Sequence, residues 1–284
     1  MPTTITLAQA FAQAQAAGLA RIDAQMLLLH VLGRPVHDRA WLLTHDGDTL
    51  APADGQRYSA LCARRAGGEP VAYLTGQKEF WGLSLAVDAR VLDPRPDTET
   101  LVAWALEVLA GHKAPRVADL GTGSGAIALA LQHERPGARV LAVDASADAL
   151  AVARANARRL GLPVQFVQGD WLTGLAGPFD AIVSNPPYIP AADPHLAALT
   201  HEPLSALASG ADGLADIHAI ITQAPKLLAS GGWLLLEHGW EQADAVQALL
   251  RAAGFSQVQS RHDLAGIARC TGGSMPVGLS PAMK

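Results

Sequence analysis

The chain has 284 residues, 50% of them hydrophobic and 17% charged, with 21 Lys and Arg against 26 Asp and Glu for a formal net charge of −5. That composition excludes disorder as the main state, and the length admits one large domain or a medium domain with a smaller companion. The acidic balance leaves no general electrostatic footprint for nucleic acid, and the only cysteines, Cys62 and Cys270, form neither a CxxC pair nor a disulfide framework, which points to a reducing compartment.

Met1 to Thr6 places no basic residue before an apolar stretch, so no secretory signal is expected. No run reaches the roughly 18 apolar residues that a membrane span requires. A soluble, cytoplasmic protein is the expectation. The first helix is announced by Thr6 and Gln9 at capping-box spacing, followed by Leu7, Phe11 and Ala14 at helical intervals. A second helix is expected from Asp23 through Met26-Leu27-Leu28-Leu29 to Gly33, and two more at 37–43 and 53–66, the last ended by Gly67-Gly68. Residues 1–75 thus read as a small helical domain. From 77 to 92 the texture turns aromatic and β-branched, which predicts a β-hairpin linker over 76–96. Pro94-Arg95-Pro96-Asp97-Thr98-Glu99 is a stiff turn in which Asp97 is expected to cap a helix starting at Thr98.

Over 97–284 short apolar strands alternate with helices: 116–120, 126–133, 139–143, 147–160, 164–168 and 181–184. Such alternation predicts βαβ units and an α/β fold with a parallel sheet. A long polar connection then leads to a helix at 217–228, a strand at 233–237, a helix at 241–253 and two last strands near Gln257 and Ile267.

Asp119-Leu120-Gly121-Thr122-Gly123-Ser124-Gly125-Ala126 lies where the first strand turns into the first helix, and glycines there let backbone approach a ligand. The spacing fits both the dinucleotide pattern G-x-G-x-x-G/A and the D/E-x-G-x-G-x-G loop of S-adenosylmethionine (SAM) methyltransferases. Asp144 at the end of the second strand is placed to hold ribose hydroxyls in either case. Asp119 tilts the choice, because a strand-tip acid suits a cationic sulfonium ligand and repels a pyrophosphate. After the third strand, Asp170 is a candidate acceptor for an adenine amine and Trp171 a candidate wall for its ring, although both also fit a plain turn acid and core tryptophan.

Asn185-Pro186-Pro187-Tyr188 follows the fourth strand and shares the carboxyl edge of the sheet with the glycine loop. An amide or aromatic amine is a poor nucleophile, and methylating it requires acceptors that hold its two hydrogens and aim the nitrogen. The Asn185 side-chain oxygen and the Pro186 carbonyl supply them, two prolines fix the turn without adding a donor, and Tyr188 packs against the flat acceptor. Glu202-Pro203 is assigned to the lip of the same site. No histidine pair has metal-ligand spacing, so no metal is expected, and no G-x-S-x-G elbow supports a serine hydrolase.

On these residues the sequence resembles the HemK/PrmC release-factor glutamine methyltransferases. Beyond Asn185 to Tyr188, the resemblance rests on Gly68-Glu69-Pro70-Val71-Ala72-Tyr73-Leu74-Thr75-Gly76, Glu79-Phe80-Trp81-Gly82-Leu83, Pro94 to Glu99, Glu202-Pro203-Leu204-Ser205-Ala206-Leu207 and Asp263-Leu264-Ala265-Gly266-Ile267-Ala268-Arg269. It implies a seven-stranded Rossmann-like class I SAM methyltransferase domain and transfer of methyl from SAM, leaving S-adenosylhomocysteine, to the side-chain N5 of the glutamine in the Gly-Gly-Gln loop of peptide-chain release factors. It assigns Gly121 to Gly125, Asp144 and Trp171 to cofactor, and Asn185 to Tyr188 to the glutamine. It also implies that the helical domain helps hold the release factor. One departure is Asp93, which stands where the family usually has an aliphatic residue. The competing readings are a nucleic-acid amino-methyltransferase acting on adenine N6 or guanine N2, a noncatalytic SAM-binding module, and an NAD-dependent dehydrogenase, which leaves Asn185 to Tyr188 unexplained.

Overall fold

The computed structural model describes residues 5–278. The chain divides into two compact units, the first ending at Gln77 and the second beginning at Lys78.

The first unit is helical. A two-stranded ribbon pairs β1 (Ile5–Thr6) with β2 (Thr49–Leu50), around α1 (Leu7–Ala16), α2 (Arg21–Val31), α3 (Arg39–Thr44), α4 (Pro52–Ala66) and the single-turn α5 (Val71–Thr75). Thr6 and Gln9 form the expected capping box. Helix α2 exists because Ala24, Leu27, Leu28 and Val31 recur on one face, and all four are buried, with Tyr58 from α4 donating its hydroxyl to the Ala24 carbonyl at 3.0 Å. The ribbon and α5 were not legible beforehand, since two residues show no alternation and one turn shows no period.

In the second unit, β3 (Gln77–Phe80) and β4 (Leu83–Ala86) form the expected hairpin. Its two turn residues, Trp81 and Gly82, both have positive φ (52° and 70°), the turn whose twist matches the strands. The hairpin is tied into this unit by Asn156, whose buried side chain accepts from the Ala86 N–H at 2.7 Å and donates to the carbonyls of Ala86 and Ser124, each at 3.0 Å. One amide therefore joins the hairpin to the glycine loop.

The turn at Pro96–Thr98 is a 3₁₀ turn running straight into α6 (Glu99–Val108). Asp97 does not cap α6. Thr98 already has helical angles, so no extended residue precedes the helix, and the Asp97 carboxylate instead faces Arg269 at 3.3 Å. Beyond it run β5 (Arg116–Leu120), α7 (Ala126–Glu134), β6 (Arg139–Asp144), α8 (Ala147–Leu160), β7 (Gln165–Gln168), β8 (Phe179–Ser184), α9 (Ala215–Gln223), β9 (Leu228–Glu237), α10 (Ala243–Ala252), β10 (Ser256–His262) and β11 (Ala268–Ser274). The helix expected over 217–228 stops early because Pro225 has no N–H to continue it, and β9 starts at Leu228.

The seven strands lie in the order β10-β11-β9-β8-β5-β6-β7, with β11 antiparallel to both its neighbours and β9, β8, β5, β6 and β7 parallel. The expected α/β fold is present. Its core sets Leu120, Ile182, Leu234 and Leu236 of the sheet against Ile217, Ile220 and Ile221 of α9 and Val246 and Leu250 of α10. The chain winds from β5 outward to β7, then returns to β8 on the other side. The switch point between β5 and β8 opens a crevice at their carboxyl ends, where such sheets bind ligands. Among the described residues no helix is long and apolar enough to cross a membrane.

Candidate active site

The crevice holds a cavity of about 300 Å³. Gly121 and Gly123 of the glycine loop, Asp144, Asp170 and Trp171, and Asn185 with Pro187 all line it. Gly121 lies at φ +67°, and a Cβ there would meet the Trp171 ring at 3.3 Å, so glycine keeps the passage between loop and indole open. Trp171 itself holds a positive φ of 50°, an unusual backbone for a tryptophan that sits where ligands bind.

Asp144 ends β6 and spends its carboxylate on the site: one oxygen accepts from the Gly123 N–H at 2.8 Å, the other from the Ser146 N–H at 2.9 Å. The cap of α8 comes from Ser146, which accepts from the Ala149 N–H at 3.2 Å, leaving Asp144 available to the cavity.

Asp119 is placed differently from the sequence expectation. It is fully buried and is not part of the wall of this cavity; one oxygen accepts from the Thr122 hydroxyl at 2.6 Å and the Ala128 N–H at 3.1 Å, while the other has no partner among the described residues. Burial, opposed by those two hydrogen bonds and reinforced by Asp144, pushes its carboxyl up to about 7. Its bonded oxygen ties the glycine loop to the start of α7. Thr122, Ser124 and Gly125 also lie away from the cavity wall.

Asn185, the first residue after β8, also lines a second cavity of about 170 Å³ with Leu92, Arg95, Tyr188, Ile189, Leu199, Ala206 and Leu207. Leu92, Asn185 and Ala206 border both cavities, so the asparagine stands at their junction. Its Nδ2 donates to the Thr98 hydroxyl at 3.2 Å. Pro186 is buried and lines neither cavity. Burial, with Glu237 adding to it, pushes the Tyr188 hydroxyl up to about 12, so it stays protonated.

Tyr188 is fixed from behind by Gln242, which donates to its carbonyl at 3.1 Å, and by Gly213 at φ +77°. A Cβ on Gly213 would lie 2.1 Å from the Tyr188 carbonyl oxygen. Gly213→Ala is expected to cost about 2–4 kcal/mol of stability and to displace Tyr188; denaturant unfolding with wild-type stability would contradict this close approach.

Sequence reasoning missed Arg90, Val91 and Leu92, and also Ser205, Ala206 and Asp216, all of which line the first cavity. Ser205 and Ala206 lie in the quoted segment that follows Glu202-Pro203, but no residue chemistry marks any of the six as lining a cavity, since they arrive from the segment after the hairpin and from the long connection following Tyr188. Pro203 lines the cavity as expected of the lip. Glu202 is buried there, with one oxygen 2.5 Å from Arg95 and the other accepting from the Asp93 N–H at 3.3 Å. Asp93, the departure noted above, pairs with Lys78 at 3.1 Å and Arg95 at 3.6 Å. The buried Asp93 carboxylate is thereby matched by two cations.

Glu237, another buried acid, ends β9 and is pushed up to about 7 by desolvation, opposed by Thr98 and Asn185 beside it. For both Asp119 and Glu237 the folded value lies above the ordinary 3.8 and 4.5, so the folded chain binds more protons than the unfolded one across that window. Their contribution to stability is complete below about pH 4 and disappears as the pH rises through about 7. Urea unfolding of the ligand-free protein should show this loss, and Asp119→Asn should shrink it; an undiminished pH dependence in that variant would contradict the assignment.

The cavity fits an adenosine-bearing sulfonium: a glycine cradle that a Cβ would fill, a carboxylate on the second strand, an indole wall, and a polar amide in its lining. Fold and site together define a SAM-dependent methyltransferase of class I. The model for the methyltransferase small domain matches residues 101–260, and that for the PrmC N-terminal domain matches residues 6–76. The release factor glutamine methyltransferase of Bordetella pertussis is 53% identical over 90% of this chain and 95% of its own, and that of Escherichia coli K12 is 46% identical over 93% and 96%. Among solved structures, the hMettl16 catalytic domain in complex with a MAT2A 3′UTR hairpin shares the fold, with a TM-score of 0.58 at 17% identity over 82% of this chain and 87% of that one. The chain belongs to the release factor glutamine methyltransferase family.

Proposed function

We propose that the protein transfers a methyl group from SAM to the side-chain amide nitrogen of a release-factor glutamine, that of the Gly-Gly-Gln loop, and thereby acts on translation termination in the cytoplasm. The observation that carries the reading is the position of Asn185 at the junction of the two cavities, one with the cofactor chemistry described and the other walled by Leu92, Tyr188 and Ile189.

Bound SAM supplies an electrophilic methyl carbon. The protein's part is positioning. Asp144 takes the ribose hydroxyls while holding the Gly123 N–H, Asp170 accepts from the adenine amine, and Trp171 flanks the ring. Because Asn185 Nδ2 is turned back to Thr98, its Oδ1 is left to accept one hydrogen of the incoming amide. The Pro186 carbonyl takes the other, so the nitrogen is held in a plane with its face towards the first cavity. Tyr188, protonated at neutral pH, stacks on the amide and excludes water. A hydrogen held at Asn185 Oδ1 or at the Pro186 carbonyl is the one lost once the nitrogen has gained its methyl.

The net charge of −5 disfavours a nucleic-acid acceptor, as phosphate binding needs a basic surface. Incubating methyl-labelled SAM separately with release factor, DNA and RNA tests the proposal. Label in the release factor alone is expected; labelled nucleic acid with an unlabelled release factor would overturn it.

A further inference from the structure

We propose that Glu237 and Thr98 position Asn185, fixing its amide with the nitrogen turned into the protein and the oxygen turned towards the acceptor. This deepens the reading of Asn185 just given and rests on it. Strands β8 and β9 run parallel with Ser184 opposite Leu236, so the next residues along, Asn185 and Glu237, emerge side by side at the carboxyl edge. Thr98 arrives from the 3₁₀ turn before α6 and completes the group. Thr98 and Glu237 are both buried, at 4% and 1% exposure, so neither meets a substrate directly.

The groups around the amide favour one arrangement. The Thr98 oxygen accepts from Asn185 Nδ2 at 3.2 Å, which leaves its single hydrogen for the Glu237 carboxylate; Thr98 and the asparagine amide both stabilise that carboxylate's charge, and its Oε2 has no other partner among the described residues. An ionised carboxylate only accepts. Rotating the amide by half a turn would set Asn185 Oδ1 against that carboxylate and remove the donor to Thr98, placing acceptor against acceptor. With Glu237 charged, the oxygen has one direction left to face. An asparagine amide is otherwise free to present either end, and only the oxygen end holds a glutamine N–H.

The surroundings set when the carboxylate is charged. Arg269 favours the charge and is itself shared between Asp97 at 3.3 Å and Asp263 at 3.0 Å, while Asp97 opposes it. Cys270 lies opposite Glu237 on β11, and Tyr188 lies on the substrate side. The neighbouring His238 is engaged by the Gly239 carbonyl at 2.8 Å and the Thr271 hydroxyl at 2.7 Å, and burial holds its ring below the ordinary value. Once protonated, Glu237 gains a donor that competes for the asparagine oxygen, and the orientation is released.

Thr98→Val removes the hydroxyl at nearly constant shape, Thr98→Ser restores it, and Glu237→Gln offers either a donor or an acceptor. With release factor as substrate, Thr98→Val should lower kcat by about ten- to a hundredfold, with SAM affinity and the KM for release factor within about twofold, and Thr98→Ser should stay within about threefold of wild type. The wild-type kcat should rise with pH through about 7, and Glu237→Gln should lose that rise. Independently of turnover, the Asn185 side-chain amide signal in ¹⁵N-labelled protein, assigned through Asn185→Asp, should titrate through the same pH range in wild type and not in Glu237→Gln. Wild-type kcat in Thr98→Val, equal losses in kcat, KM and SAM affinity in Thr98→Val and Thr98→Ser alike, or an amide titration unchanged in Glu237→Gln would each overturn the positioning role. A wild-type enzyme that leaves release factor unmethylated would overturn the function instead, and the amide titration would still decide the positioning.

Discussion

Asn185→Ala is expected to bind SAM with affinity within a few-fold of wild type and to lose about 10²–10³-fold in turnover. The asparagine is one of many residues lining the SAM cavity, with Gly121, Gly123, Asp144, Asp170 and Trp171 among the others, so removing one amide leaves most of the cofactor contacts standing. At the same time the acceptor nitrogen loses the group that takes one of its two hydrogens. A delocalised nitrogen is reactive only while it is held in line with the methyl carbon, so the loss falls on kcat. Calorimetric titration with SAM, set beside single-turnover methylation, separates the two effects. Turnover unchanged in this variant would show that the amide clamp is wrong, while turnover and SAM affinity lost together would make Asn185 a cofactor residue first.

The opposite signature is expected at Asp144. Asp144→Ala should weaken SAM binding by about ten- to a hundredfold, the size of a lost charge-assisted hydrogen bond, and leave kcat at saturating SAM comparatively intact. Two effects add there. The ribose hydroxyls lose their acceptor, and the Gly123 N–H loses the carboxylate that holds it at 2.8 Å, so the glycine cradle loosens. Asp144→Asn keeps an oxygen for the loop and should fall between. A SAM affinity indifferent to both substitutions would place the ribose elsewhere.

Much of the fold is legible in the sequence, and the legible parts share a cause. Strand β5 and helix α8 match their expected limits because punctuation brackets both: Pro115 and Gly121 around the strand, Ser146 and Gly161 around the helix. Where the signal is shorter than its period, as in α5 and the β1–β2 ribbon, nothing in the sequence could reveal it. The region around Pro225 shows the other limit: apolar residues continue across the proline, but the missing N–H converts helix to strand.

The candidate site divides in the same way. Gly121, Gly123, Asp144, Asp170, Trp171 and Asn185 meet at one cavity, and each ends or follows a strand that the α/β alternation places at one edge of the sheet. Asp119 belongs to the same motif and yet is buried behind it, one residue short of the end of β5, where its carboxylate meets the Ala128 N–H. The sequence singles out the turn that holds Thr98, but not the link of Thr98 or Glu237 to Asn185. An acid ending one strand and a threonine ending one turn carry no mark of each other or of Asn185, and only the parallel register of β8 with β9, and the packing of the turn against them, brings the three together.

The central claim is that a glutamine amide nitrogen is the methyl acceptor, and peptide mass spectrometry of a release factor after incubation with the protein and SAM tests it most directly. The account predicts a gain of one methylene, carried by the glutamine of the Gly-Gly-Gln peptide and absent when Asn185→Ala replaces the wild type. A methyl group on any other residue, or a release factor left unchanged while SAM is consumed on another acceptor, would contradict it.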